Sequence, residues 1–266
     1  MALLVCASEA KFKTLIMEIY VGQRLKRRCL KKLLIAIDGP AGSGKSTTAK
    51  LVAQKLGYIY VDTGAMYRAM TFKVLNSKIN PASEAEVVRL AADSHITLSN
   101  DRGEFRILLD GEDVTEEIRS EEVTKNVSLV SSYPGLRKIM VEKQRGIGSR
   151  KGCVVDGRDI GTVVFPDADL KFFMMADIME RARRRQEELS ASGAELPIVQ
   201  VVRELKERDL KDSTRETSPL KKADNAIGID TTNLTIDEQV KIILSYANEA
   251  MVTSEAMSNG SFGERK

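Results

Sequence analysis

The stretch IDGPAGSGKSTTAK, residues 37–50, follows a short apolar run and carries the pattern of a phosphate-binding loop. Gly39 is followed by four residues and then by Gly44, Lys45 and Ser46. Glycines let successive backbone N–H groups point at one anion, and the helix that begins near Lys45 adds the positive end of its dipole. Lys45 supplies a mobile positive charge for the outer phosphates, and the hydroxyl of Ser46 is placed to bind Mg²⁺. The pattern predicts a polyphosphate site with magnesium, but it does not say what happens to the phosphate.

The composition limits the class of protein. With 266 residues, 42% of them hydrophobic, the chain is long enough for one α/β domain with insertions or for two small domains. The net charge of +3 is too small to indicate bulk nucleic-acid binding. Three cysteines without Cys-x-x-Cys spacing argue against a disulfide framework or a zinc site, and a single histidine, His95, removes most histidine-based acid–base chemistry. No apolar run approaches the roughly 20 residues that span a bilayer, so we expect a cytoplasmic protein.

The order of apolar runs and helical patterns predicts a parallel sheet. The apolar run before the phosphate loop is predicted to be a buried strand, and the helix after the loop is predicted to end at Gly57. Strand, helix and strand at this spacing imply a right-handed crossover. Core strands are predicted at residues 33–37, 58–61, 153–156, 170–175 and 226–229, and a closing amphipathic helix at residues 236–250.

Changes in composition divide the chain into parts. Residues 33–79 and 151–250 carry the patterns of the core, and residues 80–150 have hairpin character, which indicates an inserted subdomain. Residues 181–215 contain two arginine-bearing helices joined by a Ser/Gly/Ala hinge, which is typical of a lid that closes on phosphates. Two further segments are an N-terminal extension and a polar tail, residues 1–32 and 251–266.

The N-terminal extension ends in a cluster of arginines and lysines. Such a cluster could be an arm for nucleic acid or a membrane surface, but a flexible, solvated extension is the simpler interpretation. A second methionine, Met17, also makes a downstream start possible.

The motif DTGAMYRAM, residues 62–70, lies where the second strand gives way to a helix. Ligands of α/β sheets usually bind at this end of the strands. The hydroxyl of Thr63 and the guanidinium of Arg68 on the first turns of the helix would suit an anionic group. Taken alone, the motif is explained better by a helix cap and a surface arginine.

The tetrad DGRD, residues 156–159, follows another predicted strand. A carboxylate in the position of Asp156 is what a phosphate-loop enzyme needs to reach Mg²⁺ directly or through a water molecule. Arg158 and Asp159 would project over the same edge of the sheet. An isolated Asp-Gly turn is common, so this prediction depends on the loop upstream.

The inserted segment and the lid supply the remaining candidates. In the inserted segment, Ser128 and Arg137 are the polar residues that could face a ligand. Arg181 and Arg185 belong to an arginine cluster on the first lid helix, for which i,i+4 pairing with glutamates is an equally good explanation. The second lid helix ends with three more charged candidates, Arg208, Asp212 and Arg215.

Several arginines around a magnesium–phosphate site, with no histidine base, point to phosphoryl transfer by positioning and charge neutralisation. An acceptor that is itself a phosphate is already ionised at neutral pH and needs no general base. Two anionic substrates would repel each other, and magnesium with several arginines could hold them in line.

The motifs taken together resemble a known family. IDGPAGSGKST, DTGAMYR, an inserted segment, DGRDIGTVVFPDAD and KERDLKDSTR occur in this order over residues 33–250. This combination resembles the bacterial cytidylate kinases, nucleoside monophosphate kinases that phosphorylate CMP and dCMP with ATP; the DGRDIGTVVFPDA stretch is much more specific than the loop. The resemblance implies a P-loop NTPase-type α/β fold, with a parallel sheet flanked by helices, an inserted α+β domain for the nucleoside monophosphate and a small helical lid. We expect Mg²⁺ as cofactor, ATP, CMP and dCMP as substrates, a monomer, and no membrane or nucleic-acid partner.

The resemblance also implies roles for individual residues. The ATP phosphates would be held by Gly39, Pro40, Ala41, Gly42, Ser43, Gly44, Lys45, Ser46 and Thr47. The phosphate of CMP would be held by Thr63, Arg68, Arg158 and Arg215, cytosine would be read by Ser128, Arg137 and Asp159, and the ribose would be contacted by Arg208 and Asp212. The catalytic set would be Lys45, Arg158, Arg181, Arg185 and Arg215, and the metal would be bound near Ser46 and Asp156.

One departure and several alternatives stay open. Lys211 stands where many relatives have arginine, and lysine cannot make the bidentate contact of a guanidinium. The same machinery could act on UMP, AMP or another small phosphorylated or hydroxylated metabolite. A different class would be a nucleotide-binding switch or an RNA-binding module that uses the basic extension. A GTPase switch would be expected to carry Asn-Lys-x-Asp, which the sequence lacks.

Overall fold

The computed structural model describes residues 31–259, except residues 102–103, 150, 192 and 194. The chain divides into two compact units, one of residues 33–246 and a second whose described residues are 31–32 and 247–259. The predicted N-terminal extension, apart from its last two residues, and the end of the predicted tail lie outside the described residues. Within the described part of the chain, no helix is both long and apolar enough to cross a membrane.

The strands form two sheets. Their bounds are β1 Leu34–Asp38, β2 Ile59–Asp62, β3 Ile96–Asp101, β4 Glu104–Leu109, β5 Glu112–Asp113, β6 Cys153–Gly157, β7 Leu170–Met175 and β8 Ile227–Asp230. The larger sheet is parallel, in the order β2, β6, β1, β7, β8, and the smaller one is antiparallel, in the order β3, β4, β5. The predicted core strands and the predicted hairpin are confirmed, whereas the two-residue strand β5 was not predicted.

The central strand of the larger sheet is β1. Its Ile37 lies opposite Asp156 of β6 on one side and Phe172 of β7 on the other. Every residue of β1 is buried, as expected for a short apolar strand with neighbours on both sides. Because the strands are parallel, their carboxyl ends meet at one edge, where the phosphate loop, the DTG motif and the DGRD tetrad all begin.

The helices have the bounds α1 Lys45–Leu56, α2 Thr63–Asn76, α3 Glu84–Ala92, α4 Glu121–Val130, α5 Pro134–Gly148, α6 Ile178–Ala191, α7 Ile198–Thr214 and α8 Ile236–Asn259. Gly57 ends α1 in the left-handed conformation, with a φ of 68°, as predicted. The closing helix does not stop at the predicted Ala250. It continues to Asn259 because no glycine or proline interrupts the chain before Gly260.

The hydrophobic core continues from the parallel sheet into the inserted segment. One cluster of buried side chains includes Val61 of β2, Met66 of α2, Ile107 of β4 and Leu136 of α5. A smaller cluster lies between the two lid helices, α6 and α7, and contacts Ala41 of the phosphate loop. The predicted α/β fold class, a parallel sheet flanked by helices, is confirmed.

Candidate active site

The phosphate loop takes a shape that its glycines permit. Gly39 has a φ of 155°, and a Cβ atom added to it would lie 2.2 Å from the carbonyl oxygen of Met174 in β7. The loop therefore packs directly on the neighbouring strand. Gly44 has a φ of 84° and leads into α1, and the hydroxyl of Ser43 donates to the carbonyl oxygen of Pro40 at 3.0 Å. The first backbone N–H groups of a helix have no acceptor within the helix, so the start of α1 is suited to bind an anion, and the predicted ATP-phosphate site there stays a prediction.

Lys45, Ser46 and Asp156 come together at the carboxyl edge of the sheet. The hydroxyl of Ser46 donates to Asp156 Oδ2 at 2.6 Å, and the hydroxyl of Tyr60 donates to Oδ1 at 3.1 Å. Burial, together with the nearby carboxylate of Asp62, raises the pKa of Asp156. Burial also lowers the pKa of Lys45. Each group lies near the opposite charge of the other, which offsets part of the effect of burial, and a bound cation or phosphate would offset more of it.

A single pocket extends from these residues towards the inserted segment and the lid. Six basic side chains line it, Lys45, Arg68, Arg137, Arg158, Arg208 and Arg215, against four acidic ones, Asp62, Asp156, Asp159 and Asp212. The excess of positive charge suits anionic ligands. Of the sequence-predicted acceptor residues, Thr63, Arg68, Arg137, Arg158, Asp159, Arg208, Asp212 and Arg215 all line this pocket.

The three residues of the DTG motif all line the pocket. Asp62 caps α2, since its Oδ1 accepts from the backbone N–H of Ala65 at 2.8 Å. The hydroxyl of Thr63 donates to the carbonyl oxygen of Asp156 at 2.7 Å, which ties the start of α2 to β6. Arg68 lies further along α2, and burial lowers the pKa of its guanidinium.

The arginines of the DGRD tetrad and the second lid helix share one carboxylate. Arg158 Nε donates to Asp212 Oδ2 at 2.8 Å, and Arg215 Nη1 lies 3.5 Å from Asp212 Oδ1. Burial and the nearby charges of Arg158 and Arg68 lower the pKa of Arg208 to about 10. Three arginines around one aspartate leave an uncompensated positive charge in the pocket.

A buried ion pair forms the far wall of the pocket. Arg137 Nη2 donates to Asp159 Oδ2 at 2.6 Å, and the two side chains are only 3% and 7% exposed. Arg137 Nη1 donates to the carbonyl oxygen of Ser131 at 3.1 Å, and the guanidinium carbon lies 5.3 Å from the centre of the Tyr67 ring. The structure thus brings together Arg137 and Asp159. Ser128 is not among the described residues that line the pocket, whereas Ser131, one helical turn later, is.

The two lid arginines named by the sequence occupy different surroundings, and neither is among the described residues that line the pocket. Arg181 is buried, with Nη1 donating to Asp209 Oδ2 at 2.7 Å and to the carbonyl oxygen of Ala41 at 3.2 Å. Arg185 is half-buried and pairs with Glu188 on its own helix at 2.9 Å. Arg181 therefore joins α6 to the phosphate loop, whereas the contact of Arg185 with Glu188 is partly exposed.

Comparison with known proteins shows which family the chain resembles. The family model described as cytidylate kinase matches residues 35–249. The chain belongs to the cytidylate kinase family.

Similarity to individual members of the cytidylate kinase family extends over nearly their whole length. The chain is 54% identical to the cytidylate kinase of Caldanaerobacter subterraneus over 207 residues, 78% of this chain and 91% of the relative. It is 48% identical to the cytidylate kinase of Halalkalibacterium halodurans over 220 residues, 83% of this chain and 99% of the relative. The cytidylate kinase of Desulfitobacterium hafniense is 50% identical over 228 residues, 86% of this chain and 98% of the relative. The family resemblance predicted from the motifs is confirmed.

Tyr67 is another residue of the pocket that sequence reasoning missed, besides Ser131. Tyr67 lines the pocket, and its buried hydroxyl has no hydrogen-bond partner among the residues that the structure describes. Burial raises the pKa of this hydroxyl to about 12, so it is a neutral donor at physiological pH. Tyr67 stands between Met66 and Arg68, and an aromatic residue on a helix is more often a core residue than a ligand contact. A buried hydroxyl without a partner is costly unless a ligand satisfies it.

Proposed function

We propose that this chain transfers the γ-phosphate of ATP to CMP or dCMP and releases ADP with CDP or dCDP, as a step of pyrimidine nucleotide metabolism. One observation carries the proposal: the pocket that begins at Lys45 and Ser46 ends at the buried pair of Arg137 and Asp159, with an excess of positive charge between them. The relatives described above are cytidylate kinases, which supports the same substrate.

The loop Gly39–Thr47 would hold the phosphates of ATP. The φ angles of its glycines and the start of α1 direct backbone N–H groups towards one place, and Lys45 adds a positive charge there. An anion beside Lys45 would restore the pKa that burial lowers. We therefore propose that Lys45 contacts the transferring phosphate.

The phosphate of the acceptor would lie among Arg68, Arg158 and Arg215, with Thr63 beside it. Burial lowers the pKa of Arg68 and of Arg215, and Arg215 Nη2 is buried without a hydrogen-bond partner among the described residues. A phosphate would supply both the missing acceptor and the missing negative charge. The neighbouring Arg208 and Asp212 are proposed to contact the ribose.

The base would be read by Arg137 and Asp159. A carboxylate accepts from the amino group of cytosine, and an arginine donates to its ring nitrogen and carbonyl oxygen. Uracil carries a carbonyl where cytosine has the amino group, so Asp159 would discriminate against UMP. Ser128 was expected as the third reader; Ser131 and Tyr67 lie closer to this wall and are proposed to share that role.

The residues near the loop fit a magnesium ion. Ser46 Oγ and Asp156 Oδ2 lie 2.6 Å apart, and burial raises the pKa of Asp156, which a bound cation would lower again. No group of three or more His, Cys, Asp or Glu side chains in the described part of the chain could hold a metal. The two donors, the hydroxyl of Ser46 and the carboxylate of Asp156, fit Mg²⁺, because this ion takes its remaining ligands from phosphates and water. Mg²⁺ bound there would neutralise charge on the phosphates.

The reaction would need no general base. The phosphate of a nucleoside monophosphate has its second pKa near 6, so its oxygen is already a nucleophile at neutral pH. The protein would hold two anions in line and neutralise the charge that develops between them, with Lys45, Arg158 and Arg215 in contact. Of the lid arginines, Arg185 is proposed to enter the site because its pairing with Glu188 is partly exposed and weak. Arg181 is proposed to act from its place beside the phosphate loop.

The substrates also favour the expected monomer in the cytoplasm. All of the residues named above lie in the unit of residues 33–246, so one chain could carry the reaction. ATP and nucleoside monophosphates are abundant in the cytoplasm.

A coupled assay of ADP release tests the proposal. ATP and magnesium are offered with CMP, dCMP, UMP, AMP or GMP to the wild type and to Asp159→Ala. We expect turnover of CMP and dCMP by the wild type and the loss of most of it in the variant. Asp167→Ala removes an exposed carboxylate eight residues later and serves as the control that should keep full activity. Absence of turnover with every nucleoside monophosphate would refute the proposed function.

A further inference from the structure

Asp38 is the last residue of β1 and stands directly before the phosphate loop, but it does not belong to the loop pattern. It is also not among the described residues that line the pocket. Its side chain is buried, with the residue 4% exposed. A buried carboxylate is costly unless it is hydrogen bonded, so its partners indicate why it is there.

The partners of Asp38 are two backbone N–H groups that lie far away in sequence. Ile160 N donates to Oδ1 at 2.8 Å, and Gly161 N donates to Oδ2 at 2.8 Å. These are the first two residues of a short π-helical turn, Ile160–Val164. The first N–H groups of a helical turn have no partners within the turn, and the carboxylate of Asp38 supplies them.

The turn held by Asp38 follows immediately after Arg158 and Asp159. Because Ile160 N belongs to the planar peptide that joins it to Asp159, a fixed position for this N–H also restricts the position of the Asp159 Cα atom, from which the side chain starts. Gly161 leaves little room for the turn to shift, since an added Cβ would lie 3.4 Å from Asp38 Oδ2 and 3.2 Å from Lys171 Cδ. The backbone that carries the two acceptor-side residues therefore rests on Asp38.

We propose that Asp38 is a positioning residue for the acceptor nucleotide, whose carboxylate holds the turn that presents Arg158 to the phosphate and Asp159 to the base. This inference rests on the proposed function. It assigns two roles to the end of β1, one on the ATP side of the site and one on the acceptor side. The main chain after Asp38 forms the donor loop, and the side chain of Asp38 binds the turn that follows β6 and carries the acceptor side.

The charge state of Asp38 fits this role. Burial raises its pKa to about 6, while the N–H groups of Gly161 and Ile160 hold the pKa down. At pH 8 the group is ionised and both oxygens accept. The experiments are therefore done at pH 8.

The test is the kinetics of Asp38→Asn. The amide keeps the shape of the carboxylate, but its NH₂ group would face the N–H of Ile160 or Gly161, so one of the two hydrogen bonds is lost. We expect the KM for CMP to rise about tenfold. The free energy of one charged hydrogen bond is large enough for this change if its whole loss weakens the binding of the acceptor. The KM for ATP should stay within about twofold of the wild type.

Asp169→Asn is the matched control. Asp169 Oδ2 accepts from the backbone N–H of Leu34 at 2.8 Å, so it is a carboxylate that holds backbone at the opposite end of β1. This variant should lower the melting temperature and leave both KM values unchanged. A KM for CMP unchanged in Asp38→Asn, or a KM for ATP raised as much as that for CMP, would overturn the inference.

Hydrogen exchange on the wild type tests the contact itself, even if Asp38→Asn does not fold. The N–H groups of Ile160 and Gly161 should exchange slowly in the free protein, and fast exchange would overturn the inference. A wild type that fails to phosphorylate CMP would refute the proposed function alone, because the exchange rates still decide whether Asp38 holds the turn.

Discussion

The buried pair of Arg137 and Asp159 gives a prediction whose size follows from the structure. In Asp159→Ala the guanidinium of Arg137 stays buried and loses its carboxylate, which costs about 3–5 kcal/mol in comparable buried pairs. The carbonyl oxygen of Ser131 and the ring of Tyr67 still contact the guanidinium, so we expect the lower end, about 3 kcal/mol. For a chain of this size that corresponds to a fall in melting temperature of about 6–12 °C.

A double-mutant cycle separates the pair from the rest of the site. In Arg137→Met with Asp159→Ala, no unpaired charge remains, so the double variant should be more stable than Asp159→Ala alone. The free energy of unfolding is measured by urea titration followed by circular dichroism, without nucleotide. The control cycle uses Arg183 and Glu187, an exposed pair on α6 with side chains 57% and 63% exposed, for which we expect a coupling of less than about 0.5 kcal/mol. A cost for Asp159→Ala below about 1 kcal/mol, or a double variant no more stable than that single one, would refute the reasoning.

Two further predictions concern the phosphate loop. Gly39→Ala should destabilise the protein by about 3 kcal/mol and weaken ATP binding, because its Cβ would lie 2.2 Å from the carbonyl oxygen of Met174. Gly57→Ala should cost only about 1 kcal/mol, since it shares a positive φ but has no atom within 4 Å of the added Cβ; equal costs in urea titrations of the two variants would contradict this. Lys45→Met should lower kcat by at least about 10²-fold while the melting temperature stays equal or rises, because burial disfavours the charge of Lys45 in the free protein. A variant that loses stability together with activity would show that Lys45 is structural.

Much of the candidate site was predictable because its signals are local. The phosphate loop depends on glycines at fixed spacing, and each of its residues is a near neighbour in sequence. The DTG and DGRD motifs each follow a predicted strand, and parallel strands bring such motifs to one edge. The motifs together with the family resemblance predicted that Lys45, Arg68 and Asp159 share one site, and all three line one pocket.

Such reasoning did not predict which serine of the inserted segment lines the pocket. The sequence indicated Ser128, but Ser131 lines the pocket. The apolar face of α4, with Val123, Val127 and Val130 buried, was visible as a pattern. Which polar residue next to that face meets the ligand depends on how α4 packs against α2, and periodicity carries no information about this rotation.

The sequence by itself determined the parallel sheet, the phosphate loop and the family, since these depend on short patterns whose residue types have few alternative uses. Only the tertiary structure decided that Asp38 holds the turn after Asp159, a contact across 122 residues, and that Arg181 joins the lid to Ala41. A carboxylate or a guanidinium can satisfy many partners, and its sequence position does not say which one the fold brings within 3 Å. The choice is made by packing, because burial removes water as the alternative partner.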